Sequence, residues 1–92
     1  MGQRTTDTAL ISNKDKLLRL TLEGLDQKYP YGLYEWLKER DLEAYEGILV
    51  LEDKINNNFT VNGSLEELKA YLRAYWIAQM KAIMEFEQSR VI

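Results

Sequence analysis

The chain has 92 residues, 46% hydrophobic and 29% charged, with a single Pro and a formal charge of −3 at pH 7. That composition describes one small globular domain and argues against a disordered chain or a general nucleic-acid binder. Cys and His are both absent, which excludes a disulfide scaffold, a thiol nucleophile, a Cys/His zinc site, a Ser-His-Asp triad and an imidazole proton shuttle.

A domain this short buries only about 60–65% of the surface its unfolded chain exposes. With neither disulfides nor a zinc site, stability must come from closely packed helices or from oligomerisation. Residues 1–11 show no sustained hydrophobic period and read as a flexible N-terminal arm, followed by a single helical domain over 12–92. Gly2 and Thr6 fit the short myristoylation pattern, which is loose enough to arise by chance. No apolar run approaches the roughly 18–20 residues needed to cross a bilayer. With no signal-peptide core either, the expectation is a cytoplasmic protein without membrane association. In that setting the glycosylation-like triplets Asn58-Phe59-Thr60 and Asn62-Gly63-Ser64 carry no function.

Ser12 offers an N-cap oxygen and Asp15 suits the positive end of a helix dipole, so a first helix is predicted to start there. Leu18, Leu22 and Leu25 fall on one helical face, and no second strand exists to pair with the alternative β reading. Arg4, Lys14, Lys16 and Arg19 make this entrance mildly basic and read as a solvated face. Pro30 ends the helix and pushes Tyr29 toward extended geometry. A short second helix follows, with Leu33, Trp36 and Leu37 inward.

Arg40-Asp41 reads either as a tight corner with Asp41 capping the next helix or as a kink within one longer helix. The third helix places Leu42, Tyr45, Ile48, Leu49 and Ile55 inside, with Glu43, Glu46, Glu52 and Asp53 outside. Asn56-Asn57-Asn58 is expected to end it. Phe59 and Val61 should then pin a loop to the core. Ser64-Leu65-Glu66-Glu67 is a capping box that opens the last helix, unbroken from Leu65 to about Gln88.

Along that helix Leu65, Leu68, Leu72, Tyr75, Ala82, Ile83 and Phe86 form one stripe, assigned to the core. The opposite face begins charged, with Glu66, Lys69 and Arg73, and turns apolar at Ile77, Met80 and Met84. About 24 residues at 1.5 Å each span ~36 Å, more than the ~32 Å diameter of a compact chain of this size. Trp76, Ile77, Met80 and Met84 are therefore the candidate oligomer interface, with an antiparallel homodimer the simplest arrangement. The competing reading wraps this helix completely inside one bundle. The fold expected is all-α: a small four-helix bundle-like domain with a long C-terminal helix, packed as a homodimer.

Tyr31, Tyr34 and Trp36, beside the only Pro, form a candidate groove for a partner, against the plainer reading of a packed aromatic hub. Glu43 and Glu46 supply one Glu-x-x-Glu pair of the kind used by all-α Mg²⁺ phosphohydrolases, but no Glu-x-x-Asp follows on the last helix. Di-iron carboxylate bundles need His. The Asp53–Asn62 stretch lacks the ligand spacing of a calcium loop, since Ile55 occupies a ligand position. A helix-turn-helix around Arg40-Asp41 would present Glu43, Glu46, Glu52 and Asp53 to phosphates, against Lys54 alone. No cofactor or metal is expected. The sequence thus favours a small non-enzymatic interaction or regulatory module acting through a helical homo-oligomer. A carboxylate–Mg²⁺ phosphohydrolase and a DNA-associated regulator are the alternatives.

Overall fold

A computed structural model describes the backbone over residues 2–90 and side chains over 12–90. Four helices make up the described residues, and no strand occurs among them: α1 (Gly2–Asp26), α2 (Leu33–Arg40), α3 (Leu42–Thr60) and α4 (Leu65–Arg90). The chain is an all-α helical bundle. It is more elongated than a sphere of its length, with a radius of gyration of 15.7 Å and extents of 61 × 23 × 17 Å.

α1 starts at Gly2, so Ser12 lies inside the helix instead of capping it. The side chains of the arm expected over 1–11 lie outside the described residues. The helix ends at Asp26, four residues ahead of Pro30, in a turn closed by backbone bonds from Gln27, Lys28 and Tyr29 to Glu23, Leu25 and Asp26. Gly32 then takes φ +87°, a left-handed conformation that glycine adopts without steric cost, and α2 begins.

Arg40-Asp41 is a corner between two helices, and the Asp41 carboxylate accepts from the Ala44 amide at 3.1 Å. α3 runs through all three asparagines to Thr60, because Asn58 points inward and its side chain serves the following turn instead of competing with the helix. Its Nδ2 donates to the Ser64 carbonyl at 3.2 Å. Asn62 (φ 55°) makes the left-handed turn. The Ser64 hydroxyl accepts from the Glu67 amide at 3.1 Å and lies 3.3 Å from the Glu67 carboxylate, the capping interaction expected. Phe59 is half-buried at the end of α3, whereas Val61 stands in solvent.

The core comprises Leu25, Leu33, Leu37, Ile48, Ile55 and the α4 stripe Leu68, Leu72, Tyr75, Ala82, Ile83 and Phe86. α4 touches all three other helices. α1 lies along its first half, where Leu17 and Thr21 meet Lys69 and Trp76, and α2 lies along its second half, where Trp36 meets Phe86. α3 runs antiparallel to α4 from Asp41 back to Asn58.

Three burial expectations are corrected. Leu42, assigned inside, is exposed at the corner where α3 begins. Leu22, placed on the inward face of α1, is also exposed; that face is instead Lys14, Leu18, Thr21 and Leu25. Lys14, read as solvated, is only 1% exposed: its ammonium donates to the Asn58 carbonyl at 3.2 Å and lies 5.3 Å over the Phe59 ring.

Candidate functional site

The outward face of α4 divides in two. Ile77 and Met84, seven residues apart on one side of the helix, are 60% and 57% exposed. Trp76 and Met80 are half-buried and pack against the core. The Trp76 indole lies over Gly24 of α1, so closely that a Cβ there would come within 3.0 Å of the ring. Of the four residues assigned to an interface, two therefore hold the bundle together and two face solvent. Leu20 of α1 adds a third exposed side chain; one helical turn from Leu17 and Gly24, it shares their side of α1.

The aromatic residues near Pro30 also separate. Tyr31 and Tyr34 line a pocket of about 430 Å³ together with Tyr29, Gly32 and Glu35. Trp36 does not; it stacks edge-on against Phe86 with centroids 5.1 Å apart, and Arg40 covers its ring at 5.4 Å. The difference follows from helix geometry, since residues two apart on α2 point to nearly opposite sides. Tyr31 is 97% exposed. Tyr34 is half-buried, with the Tyr29 ring 5.7 Å away and Tyr45 edge-on at 6.0 Å.

Behind that pocket lies a polar cluster absent from the expected sites. Glu52, assigned to the outer face of α3, is half-buried and accepts from Tyr75 at 2.9 Å and Tyr34 at 3.3 Å. Gln79 donates to the Tyr34 hydroxyl. Burial raises the Tyr75 hydroxyl well above its ordinary pKa, and the hydrogen bonds and the Glu52 charge add to it. Tyr34 is raised as well, chiefly by burial, with the Glu52 charge acting in the same direction. Both phenols are therefore neutral donors at any physiological pH. The signal in the sequence is spacing: Glu52 falls between Ile48 and Ile55 at i+4 and i−3, and Gln79 interrupts the apolar stripe of α4 between Tyr75 and Ile83.

A second groove lies between α3 and α4. About 270 Å³ in volume, it has Ile48, Leu51 and Ala82 among its apolar walls and Asp41, Lys81 and Glu85 at its polar edge. Glu43 and Glu46 are exposed on the outer side of α3. Among the described residues no three Asp or Glu side chains come together as a metal-binding group. None of the helices is long and apolar enough to cross a membrane. No protein-family model, curated protein or solved structure matches this chain.

Proposed function

We propose that this chain is a non-enzymatic interaction module that self-associates through the outward face of α4. The observation that carries the reading is the pair Ile77 and Met84, two large apolar side chains held more than half exposed on one helix face. Exposed apolar side chains at helical spacing on a small domain favour association, and a two-fold pairing of identical surfaces is the simplest form. A stable interface buries about 800 Å² per partner. Ile77 and Met84 supply only its centre, so the patch extends over the exposed edges of Met80 and Trp76 and across to Leu20. In an antiparallel pairing with Ile77 opposite the second copy's Met84, Arg73 of one copy falls near Glu87 of the other, adding an ion pair at the rim.

The test is light scattering on the purified chain and on an Ile77→Glu/Met84→Glu variant. Met80 is left intact because it packs in the core. The wild type should be a dimer and the variant a monomer of unchanged helicity, while Val50→Glu, on the exposed side of α3, leaves the dimer in place. A wild-type chain that stays monomeric at high micromolar concentration overturns the proposal.

A further inference from the structure

We propose that the pocket between the end of α1 and the start of α2 binds a methylated or quaternary ammonium group, held against the rings of Tyr29, Tyr31 and Tyr34 with Glu35 as its counter-charge. This does not rest on self-association, since neither Ile77 nor Met84 lines the pocket.

The first observation is how the chain treats its other aromatic rings. Five of the seven others, Phe59, Tyr45, Trp36, Tyr71 and Phe86, each carry a Lys or Arg of the chain itself, 5.3–5.9 Å from the ring centroid, and the remaining two, Tyr75 and Trp76, are covered by the bundle core. Among the described residues no such cation lies over Tyr29, Tyr31 or Tyr34. These three residues line a pocket of about 430 Å³, ample for a trimethylammonium group. Tyr31 is the most exposed large apolar side chain described, at 97%. An aromatic ring with no internal packing partner gains nothing from the fold, but it is free to close over a ligand.

The second observation is charge. An aromatic face attracts cations through its quadrupole, and the one ionisable group lining the pocket besides the phenols is the carboxylate of Glu35. Lys28, next in sequence to Tyr29, does not line it. The N-terminus of α2 would by itself favour an anion, but Glu35 sits in its first turn and already supplies that negative charge. A second anion would meet like-charge repulsion.

The third is preorganisation. Tyr34 is fixed by Glu52 and Gln79 through its hydroxyl. A phenol donating to a carboxylate is polarised, so its ring becomes more electron-rich and more attractive to a cation. The methylated form is preferred over a primary ammonium because it is weakly hydrated and loses little on leaving water.

The experiment is an NMR titration of the full chain with tetramethylammonium, choline, a trimethyllysine peptide and 3,3-dimethylbutanol, the neutral isostere of choline. Quaternary cations should shift the ring signals of Tyr29, Tyr31 and Tyr34 and the amide of Glu35, and bind several-fold more tightly than the neutral isostere. Tyr31→Ala and Glu35→Gln should each weaken binding by about 3- to 10-fold with unchanged circular dichroism; both side chains are exposed, so the fold does not depend on them. Whichever of free choline and the peptide binds more tightly identifies the physiological source. Equal binding of the neutral isostere would show a merely apolar pocket and overturn the proposal. So would shifts confined to other residues, an absence of shifts, or a response to a proline-rich peptide and not to ammonium.

Discussion

The indole of Trp76 occupies the space where a side chain at Gly24 would begin, with Cζ3 and Cη2 at 3.0 and 3.1 Å from the position of a Cβ. Glycine inside a helix costs about 0.5–1 kcal/mol relative to alanine, and here that cost lets α1 and α4 approach closely enough for the Trp76 ring to pack against α1 at Gly24. Gly24→Val should destabilise the fold by about 1–3 kcal/mol through overpacking, read from the urea midpoint, and shift Trp emission toward the solvent-exposed wavelength. Unchanged stability and emission would show that the indole has room to retreat.

Glu52, Tyr34 and Tyr75 form a cluster with a pH signature. Burial raises both phenols above the ordinary value of 10.0, so the folded state holds these protons more tightly than the unfolded chain. Their contribution to stability is fully present below about pH 10 and is lost as pH rises through the folded-state values. Thermal midpoints should therefore fall as pH rises past about 10, because the unfolded chain releases these two protons before the folded chain does. A Tyr34→Phe/Tyr75→Phe variant should show a flatter alkaline decline, and an equal slope in both proteins would refute this account.

Removing the acceptor tests the same cluster at neutral pH. Glu52→Leu leaves Tyr75 without its 2.9 Å partner, which should cost about 1–3 kcal/mol for the stranded hydroxyl. Glu52→Gln keeps an acceptor oxygen and should cost less. Chemical denaturation of the two variants side by side decides it; the reverse order would mean that the hydroxyls find water or another acceptor.

Lys14 ties α1 to the α3–α4 turn by burying an ammonium, and its acceptor, the Asn58 carbonyl, also receives the Gly63 amide at 2.7 Å. Lys14→Met preserves the packed stem and leaves that carbonyl bonded, so it should be neutral or stabilising. Lys14→Ala removes the stem too and should lower stability by about 2 kcal/mol. Calorimetry on both variants separates packing from charge: a large loss with Met would assign the anchoring to the ammonium itself.

The Asp41 cap is the local contact that divides α2 from α3. Asp41→Ala should cost about 1 kcal/mol, while Asp41→Asn retains an acceptor and most of the stability. Equal losses for the two, measured by thermal melting, would argue that the corner is held by packing of Leu37 and Ile48 alone.

Several elements were legible from local chemistry. The α4 stripe from Leu68 to Phe86, the Ser64 cap and the stop before Pro30 depend on spacing and backbone hydrogen bonding within a few residues, and each stands as expected. The three asparagines do not stop α3, because Asn58 spends its amide on Ser64 across the turn instead of on its own helix. Of the candidate site residues, Tyr31 and Tyr34 share a pocket, while Trp36 turns away from it to Phe86. Trp76 and Met80 were indistinguishable from Ile77 and Met84 by periodicity. Which apolar residues of one outward line become covered depends on where α1 lies against α4.

By itself the sequence determined an all-α chain, its helix punctuation and the inward face of α4, because hydrophobic period, capping and proline act over short distances. Only the tertiary structure decided that Lys14 and Glu52 turn inward, that Gly24 receives Trp76, and that Ile77 and Met84 stay outside. Those outcomes depend on contacts between residues far apart in the chain. They are set by how close two helices can come, a quantity no single helix encodes.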